Sequence, residues 1–456
     1  MTSSASACPD SGTIGLESRG AAKAFLLLGS VQVTLIATIT VITVALPAVQ
    51  RDLHVDEAGL VLVSSAYGLA FGGLLLLGGR LADSLGRRRV FAAGMTVFGL
   101  GSAAAGLAPW ASVLLTARFV QGAGAALAAP AAMALLGAVF PDPRRRGRAL
   151  AVWGGLSAAG ATAGTVLSGV AITWISWRWV FLVPVAVSAV AVIAVVAGLF
   201  PADRTAGGAR IDWPGAVLVT AGLAVLIYGL QRSGWLVLGG AALLVLFGAA
   251  EHRVPAPLVP PPFLRGRVLP LIAVAACAGA MATAFFLLSL HLQQVRGLSP
   301  LRTSAAFLLP VPALLASGPL AGRLVPRLGA RLVLAAGTAT AAAGLLLLSL
   351  LDVPYAGLVV FPLGAGATFS AATLAVMRDA RDDRSGLAGG LLNTAMEIGP
   401  PVGLAALVSL AAAHSHHPPT GHAFALRAAA AALLALALFA ALPRRTRETT
   451  TKESKR

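Results

Sequence analysis

Apolar residues in this chain gather into long runs bounded by charge, Pro or Gly clusters. The runs lie near residues 24–47, 58–78, 90–108, 112–139, 150–172, 179–200, 213–231, 235–250, 268–291, 303–325, 332–351, 354–377, 386–412 and 422–442. Each approaches the ~20 residues that cross a hydrocarbon layer at 1.5 Å per residue. The pattern therefore predicts an all-α polytopic membrane protein with fourteen transmembrane helices. Between two of the runs stands Gly79-Arg80-Leu81-Ala82-Asp83-Ser84-Leu85-Gly86-Arg87-Arg88-Arg89, read as a short surface loop. A second copy, Gly322-Arg323-Leu324-Val325-Pro326-Arg327-Leu328-Gly329-Ala330-Arg331, keeps Gly, Arg, Leu, Leu, Gly and Arg in register. A basic loop repeated in two halves of a membrane protein implies duplication, as in secondary transporters. The interval between the copies holds eight spans at about 30 residues each, helix plus connection.

Composition agrees. Hydrophobic residues make up 57% of the chain and charged residues 11%, with a mean hydropathy of +0.85, which excludes an ordinary soluble domain. The net charge of +17 suggests nucleic acid until the charges are placed. Most of the 34 Lys and Arg fall in alternate loops and in the tail. The exceptions are Arg51, Arg178, Arg232, Arg296 and Arg302 in the other loops, Arg427 near the outer end of the last span and Arg118 deep within a span. That asymmetry is the positive-inside bias, and it puts both termini in the cytoplasm. The expected organisation is a cytoplasmic segment (1–23), a six-helix bundle (24–200), two additional helices with a Pro-rich linker (201–267), a second six-helix bundle (268–442) and a basic tail (443–456). Trp110, Trp174, Trp177, Trp179, Trp213 and Trp235 stand at span ends, where an aromatic belt belongs. Residues 1–22 lack the layout of a cleavable signal peptide, so the first span is expected to direct insertion.

The first basic loop resembles the loop between helices 2 and 3 of the major facilitator superfamily. Ala45-Leu46-Pro47, Arg118-Phe119-Val120-Gln121-Gly122, Trp177-Arg178-Trp179-Val180-Phe181, Leu298-Ser299-Pro300 and the segment from Ser385 to Thr394 resemble, in order and spacing, the fourteen-helix drug:H+ antiporter branch of that family. The resemblance implies a multi-pass cell-membrane transporter that exports amphipathic drugs or natural products by alternating access in exchange for protons. Its expected partners are a small amphipathic organic substrate, protons and the lipid bilayer. It is expected to work as a monomer, without nucleic acid, cofactor or metal. The resemblance also implies a conformational latch at Asp83 with Arg87, Arg88, Gly79 and Gly86; the bland alternative is that Asp83 caps a helix.

Two charges fall deep inside spans. Arg118 lies eight residues past Trp110, roughly 12 Å deep at helical rise, where a charge is costly and marks function by default. The resemblance places it with Gln121 and Gly122 on the cavity and in the proton path; the alternative is a structural Arg bonded to backbone carbonyls. Glu397 stands mid-span just before Gly399-Pro400-Pro401. Prolines remove backbone donors, and an interrupted helix beside an ionisable residue points to a binding site. Burial disfavours the charged form of a carboxyl group, making Glu397 a candidate proton carrier; the alternative is a fixed pair, with Arg118 the suggested partner.

The first span departs from the family. Thr38 stands where many relatives have Asp, and Thr43 where they have Asn. Threonine cannot titrate, so proton coupling there has no carboxylate. Gln32, Thr34, Thr38, Gln121, Phe285, Phe286 and Asn393 are the expected cavity-lining residues. Gly160, Gly164 and Ser168 form a small-residue stripe for helix packing, although the family's Gly-Pro is Gly160-Ala161 here. His414, His416, His417 and His422 cluster in the last outer loop and are read as a solvated loop; the alternative is a transition-metal site at His-rich spacing. No Walker loop, H-E-x-x-H or G-x-S-x-G motif is present, so ATP hydrolysis and hydrolase chemistry lack support. An uncoupled facilitator or metabolite exporter of the same fold is the alternative, and a membrane-embedded enzyme or sensor is less favoured.

Overall fold

The computed structural model describes residues 11–201, 212–232, 234–254, 261–264, 266–350, 355–377, 385–414 and 418–442, all helix or short connection with no strand among them. A first group comprises α1 (Ser11–Leu53), α2 (Glu57–Leu85), α3 (Arg87–Gly106), α4 (Ala111–Val139), α5 (Pro143–Trp174) and α6 (Trp179–Val196). Next come α7 (Trp213–Arg232), α8 (Gly234–Glu251) and the single turn α9 (Pro261–Leu264). The second group comprises α10 (Val268–Leu290) with a π-helical turn His291–Val295, α11 (Pro300–Ala306), α12 (Pro310–Leu328), α13 (Ala330–Leu348), α14 (Tyr355–Met377), α15 (Ser385–His414) and α16 (Pro418–Ala441).

The predicted duplication is visible in the packing. In the first group α1 packs on α5, α2 on α4, α3 on α4 and α3 on α6. In the second, α10 packs on α15, α12 on α14, α13 on α14 and α13 on α16. These are the same pairings, with α10 to α16 standing for α1 to α6 and the broken helix α11–α12 standing for α2.

Among the described residues, twelve helical segments are long and apolar enough to cross a bilayer. Two expected spans fall outside that set: α3, which opens on Arg87-Arg88-Arg89, and α5, whose described residues include the shorter apolar stretch Thr162–Trp174.

Four sequence expectations change. The first basic loop is almost entirely helix: α2 runs to Leu85, α3 starts at Arg87, and Gly86 alone turns the chain at φ 101°. The second copy does the same with Gly329 at φ 84° between α12 and α13. Only glycine takes this conformation without strain, so the repeated glycine is the reversal itself. The tenth span is split at Phe307 to Leu309, ahead of Pro310 and Pro312, which cannot supply backbone donors. By contrast, α15 runs uninterrupted through Pro400 and Pro401. Finally, Trp177 leaves the aromatic belt: it is 4% exposed, and its indole donates to Asp52 Oδ2 at 3.0 Å.

The basic loops at 86–89, 142–148 and 323–331 mark one end of the molecule, the basic end; the opposite end is the far end. Among the described residues, the hydrogen bonds joining the two groups cluster towards the far end. Ser289 Oγ donates to the Thr43 carbonyl (2.7 Å), Gln293 Nε2 to the Val44 carbonyl (3.3 Å), Gln294 Nε2 to Gln50 Oε1 (2.7 Å) and Ser304 Oγ to the Thr165 carbonyl (2.9 Å). The two groups are therefore fastened at the far end in this conformation.

Two motif glycines should separate on mutation. Gly86→Ala forces an alanine into a positive-φ turn and is expected to cost about 1–3 kcal/mol. Gly322→Ala sits inside α12 with no heavy atom within 4 Å of the new Cβ and should be neutral or gain up to about 1 kcal/mol of helix propensity. Thermal unfolding in detergent checks both: the midpoint falls for the first and holds or rises for the second.

Candidate functional site

The site is built around α2. This helix starts where Asp56 caps it, its side chain accepting from the Gly59 N–H at 2.9 Å, and its middle turns carry Tyr67, Gly68 and Gly72. Tyr67 faces the first group. Its hydroxyl donates to the Leu35 carbonyl of α1 at 3.1 Å, and its ring lies under the Arg118 guanidinium, 4.9 Å from carbon to centroid.

Arg118, on α4, is 1% exposed and heads the largest fully buried side chains. Nη1 donates to Gln121 Oε1 at 2.9 Å and to the Thr38 carbonyl at 3.3 Å. Gln121 in turn donates from Nε2 to Ser102 Oγ at 2.7 Å, and the Phe181 ring lies 5.7 Å from the guanidinium carbon. No carboxylate of the described residues forms an ion pair with Arg118, and its Nε is buried without an acceptor. The cation is held by neutral acceptors and aromatic faces, the latter worth about 2 kcal/mol or more when desolvated. Gly122 lets α4 close on α2: a Cβ there would come 2.2 Å from the Tyr67 carbonyl oxygen.

The opposite face of α2 meets α15. A Cβ on Gly72 would stand 3.0 Å from the Glu397 Cβ, and one on Gly68 would stand 3.6 Å from Pro401 and 3.8 Å from the Glu397 carbonyl oxygen. Glu397 is half-buried, and its carboxyl group forms no hydrogen bond or ion pair with the described residues. The suggested Arg118–Glu397 pair is therefore absent among the described residues; α2 stands between them, with Tyr67 against Arg118 and Gly72 against Glu397. The prolines leave α15 unbroken. They deprive the Met396 and Glu397 carbonyls of their helical N–H partners, so carboxyl and backbone present acceptors together at the seam between the two groups.

On α1, Thr38 is 2% exposed, and its hydroxyl donates to the Thr34 carbonyl at 2.8 Å. Thr34 bonds back to Ser30 in the same way, at 2.8 Å. Those hydroxyls are spent on their own helix, and Thr38 serves Arg118 through its backbone carbonyl. Gln32 is half-buried and Asn393 is exposed one turn before Glu397. Phe285 is half-buried against Phe307, ring centroids 5.2 Å apart, whereas Phe286 is 1% exposed within the apolar core.

The small-residue stripe seats α5 on α1. A Cβ at Gly164 would stand 2.5 Å from the Ala37 carbonyl oxygen, one at Gly160 2.8 Å from that of Val33, and Ser168 Oγ donates to the Val41 carbonyl at 2.7 Å. The equivalent α10–α15 contact uses Gly399, whose Cβ would come 2.2 Å from the Ala275 carbonyl oxygen. At the basic end, Asp83 sits exposed in the last turn of α2, not at a helix start, and forms no ion pair with a described residue. Arg87 Nη1 donates to the Ala134 carbonyl at 3.4 Å and Arg88 Nη2 to that of Val195 at 2.9 Å, cations placed near the C-terminal ends of α4 and α6, where the helix dipole favours positive charge. Gly79 has only Pro130, at 3.9 Å, near a notional Cβ. Sequence reasoning passed over Tyr67, although a tyrosine among only three in the chain, mid-way along an apolar run, was a signal. Ser102 carried none, and Phe181 stood out only as the last residue of the Trp177–Phe181 motif.

His414 stacks on Phe424 with centroids 3.6 Å apart; His416 and His417 lie outside the described residues. The described residues hold no group of three or more His, Cys, Asp or Glu arranged for a metal.

A family profile described as Major Facilitator Superfamily matches residues 28–404. The chain is 37% identical over 390 residues to the puromycin resistance protein pur8 of Streptomyces alboniger, covering 81% of this chain and 77% of that protein. It is 38% identical to the cephamycin export protein CmcT of Amycolatopsis lactamdurans, covering 81% of each. It is 34% identical to a lincomycin resistance protein of Streptomyces lincolnensis, covering 84% of this chain and 83% of that one. In fold it is similar to the crystal structure of the peptide transporter POT in complex with sulfate, with a TM-score of 0.67 at 17% identity over 92% of this chain and 93% of that one.

Gln121→Leu removes the side-chain acceptor of Arg118 and is expected to destabilise the protein by about 1–3 kcal/mol. Ser102→Ala, which leaves the Arg118–Gln121 bond in place, should cost about 1 kcal/mol or less. The order of the two thermal midpoints in detergent checks the hub.

Proposed function

The chain belongs to the Major Facilitator Superfamily, and from that premise we propose that it exports amphipathic drugs or natural products by alternating access, in exchange for protons. It is a multi-pass membrane transporter, not an enzyme. The proposed topology is fourteen spans with both termini in the cytoplasm, which makes the basic end cytoplasmic and the far end external. The two groups then act as six-helix bundles rocking about a central site, while α7 and α8 are additional.

The observation that carries the coupling is Glu397. A half-buried carboxyl group at the seam between the bundles, with no cationic partner among the described residues, has a charge that depends on which side supplies water and protons. Any sliding of α2 against α15 moves it relative to Gly72, Tyr67 and the Arg118 cation behind them. Thr38 cannot titrate, so Glu397 carries the proton and Arg118 biases it electrostatically. A cationic or hydrogen-bond-donating substrate competes with the proton for the Glu397 carboxylate, the linkage antiport requires. Gln32, Thr34, Phe285 and Asn393 contribute the polar and aromatic lining, with Phe286 in the core behind them and Gln121 in the Arg118 network, and Asp83 with Arg87, Arg88, Gly79 and Gly86 forms the latch at the cytoplasmic end. The relatives' names, with puromycin, cephamycin and lincomycin, support antibiotic-sized organic cargo. An uncoupled facilitator is the second reading, favoured by Thr38 and Ala161.

Glu397→Gln should lower proton-driven efflux by about 5–150-fold, the usual range of a coupling between two sites, while leaving substrate binding measurable. Uptake into inverted vesicles with and without a protonophore reads this. Wild-type proton-driven transport by the variant would reject the role of Glu397. Movement that equilibrates substrate and ignores the protonophore, already in the wild type, would select the facilitator.

A further inference from the structure

The helices between the two groups are not a loose spacer, because α7 is bonded to both. On the α2 side, Arg232 at the tip of α7 pairs with Asp56 through two bonds of 2.9 Å, Nη1 to Oδ2 and Nη2 to Oδ1. Further along, α7 lies close against α2: a Cβ on Gly73 would stand 2.9 Å from Thr220 Oγ1. On the α15 side, the neighbouring Gln231 donates from Nε2 to the Ala405 carbonyl at 2.9 Å and to Ser409 Oγ at 3.0 Å, and Ser409 Oγ donates to the Leu230 carbonyl at 2.5 Å. Two consecutive side chains thus reach opposite groups. The partner helix α8 packs on α7, where a Cβ at Gly240 would meet the Leu226 backbone nitrogen at 2.4 Å, and it is otherwise largely exposed.

We propose that α7 is a brace across the far-end gate: it holds the far ends of α2 and α15 together in the conformation seen here, and one of its two sets of bonds must release before that end opens. The inference rests on the alternating-access reading above. The geometry identifies the arm that lets go. A rigid helix pinned to α2 at both Thr220 and Arg232 but to α15 only around Gln231 travels with α2. The Gln231–Ser409–Leu230 cluster is therefore the releasing contact and Arg232–Asp56 the hinge end. Asp56 and Arg232 are exposed (57% and 43% of their side chains), so the ion pair biases the gate rather than locking it.

The test uses spin-label distances in nanodiscs, which need no transport. With Cys8 replaced by Ser and buried Cys277 left in place, labels at Ala111→Cys and Tyr355→Cys report the far end. A second pair at Pro141→Cys and Leu328→Cys reports the basic end. Asp56→Asn keeps the helix cap while removing the charge, and Arg232→Gln removes its partner. Each should raise the ratio of far-end-open to far-end-closed protein about two- to fivefold. The double variant should equal either single one, since the two groups act as one contact. Gln231→Leu should raise the ratio independently. Reciprocal movement of the two label pairs that none of these substitutions changes, or an additive effect of Asp56→Asn and Arg232→Gln, would overturn the brace while leaving alternating access standing. Absence of reciprocal movement in every protein, wild type included, would overturn alternating access itself and the brace with it.

Discussion

A guanidinium cation taken out of water and left without an anion must be satisfied from every side, and Arg118 organises the first group for this reason. Its donors and ring contacts reach Thr38 on α1, Tyr67 on α2, Gln121 on its own helix α4 and Phe181 on α6, and Gln121 passes the network on to Ser102 on α3. Four helices, its own included, meet at one side chain, and a fifth joins through Gln121. Removing a partner from a buried polar network costs more than forming the contact gains, so the group is held as a unit. A rigid-body motion needs a body, and this hub provides one.

The second group repeats the pairings without repeating the hub. Its helices close through glycine and alanine, as where Gly364 lies against the backbone of Ala341. Of its buried hydroxyls, Thr338 bonds to Leu334 and Thr368 to Gly364, each one turn back, while Ser289 and Ser304 reach across to the first group. The ionisable group of this half, Glu397, lies instead on its border with α2. Duplication therefore supplied the scaffold twice, while the charges diverged. One half keeps a fixed cation inside, and the other keeps a carboxyl group at the seam where the surroundings change with conformation.

Between the halves, fastening is concentrated at the far end, in the bonds from α10, the π-helical turn and α11 to α1 and α5. Helix α7 adds bonds to α2 and α15 at the same end. These contacts are few, polar and partly exposed, which suits interactions that must break repeatedly.

Much of this was legible in the sequence. Run lengths determine helices across a bilayer because no other open structure satisfies its backbone there. The recurrence of Gly86 and Gly329 determined the duplication, and the depth of Arg118 and Glu397 singled them out because isolated charges are costly in hydrocarbon. What the sequence could not contain was partnership. That Arg118 would rest on Tyr67 and neutral acceptors instead of pairing with Glu397, that the Gly79 motif would be helix up to a single turning residue, that α15 would run through two prolines, and that α7 would grip both halves all depend on which faces meet. Those choices are made by contacts between residues far apart in the chain, as with Arg118 and Thr38 or Arg232 and Asp56, and such pairs leave no periodic trace in the local pattern. Tertiary packing alone decided them.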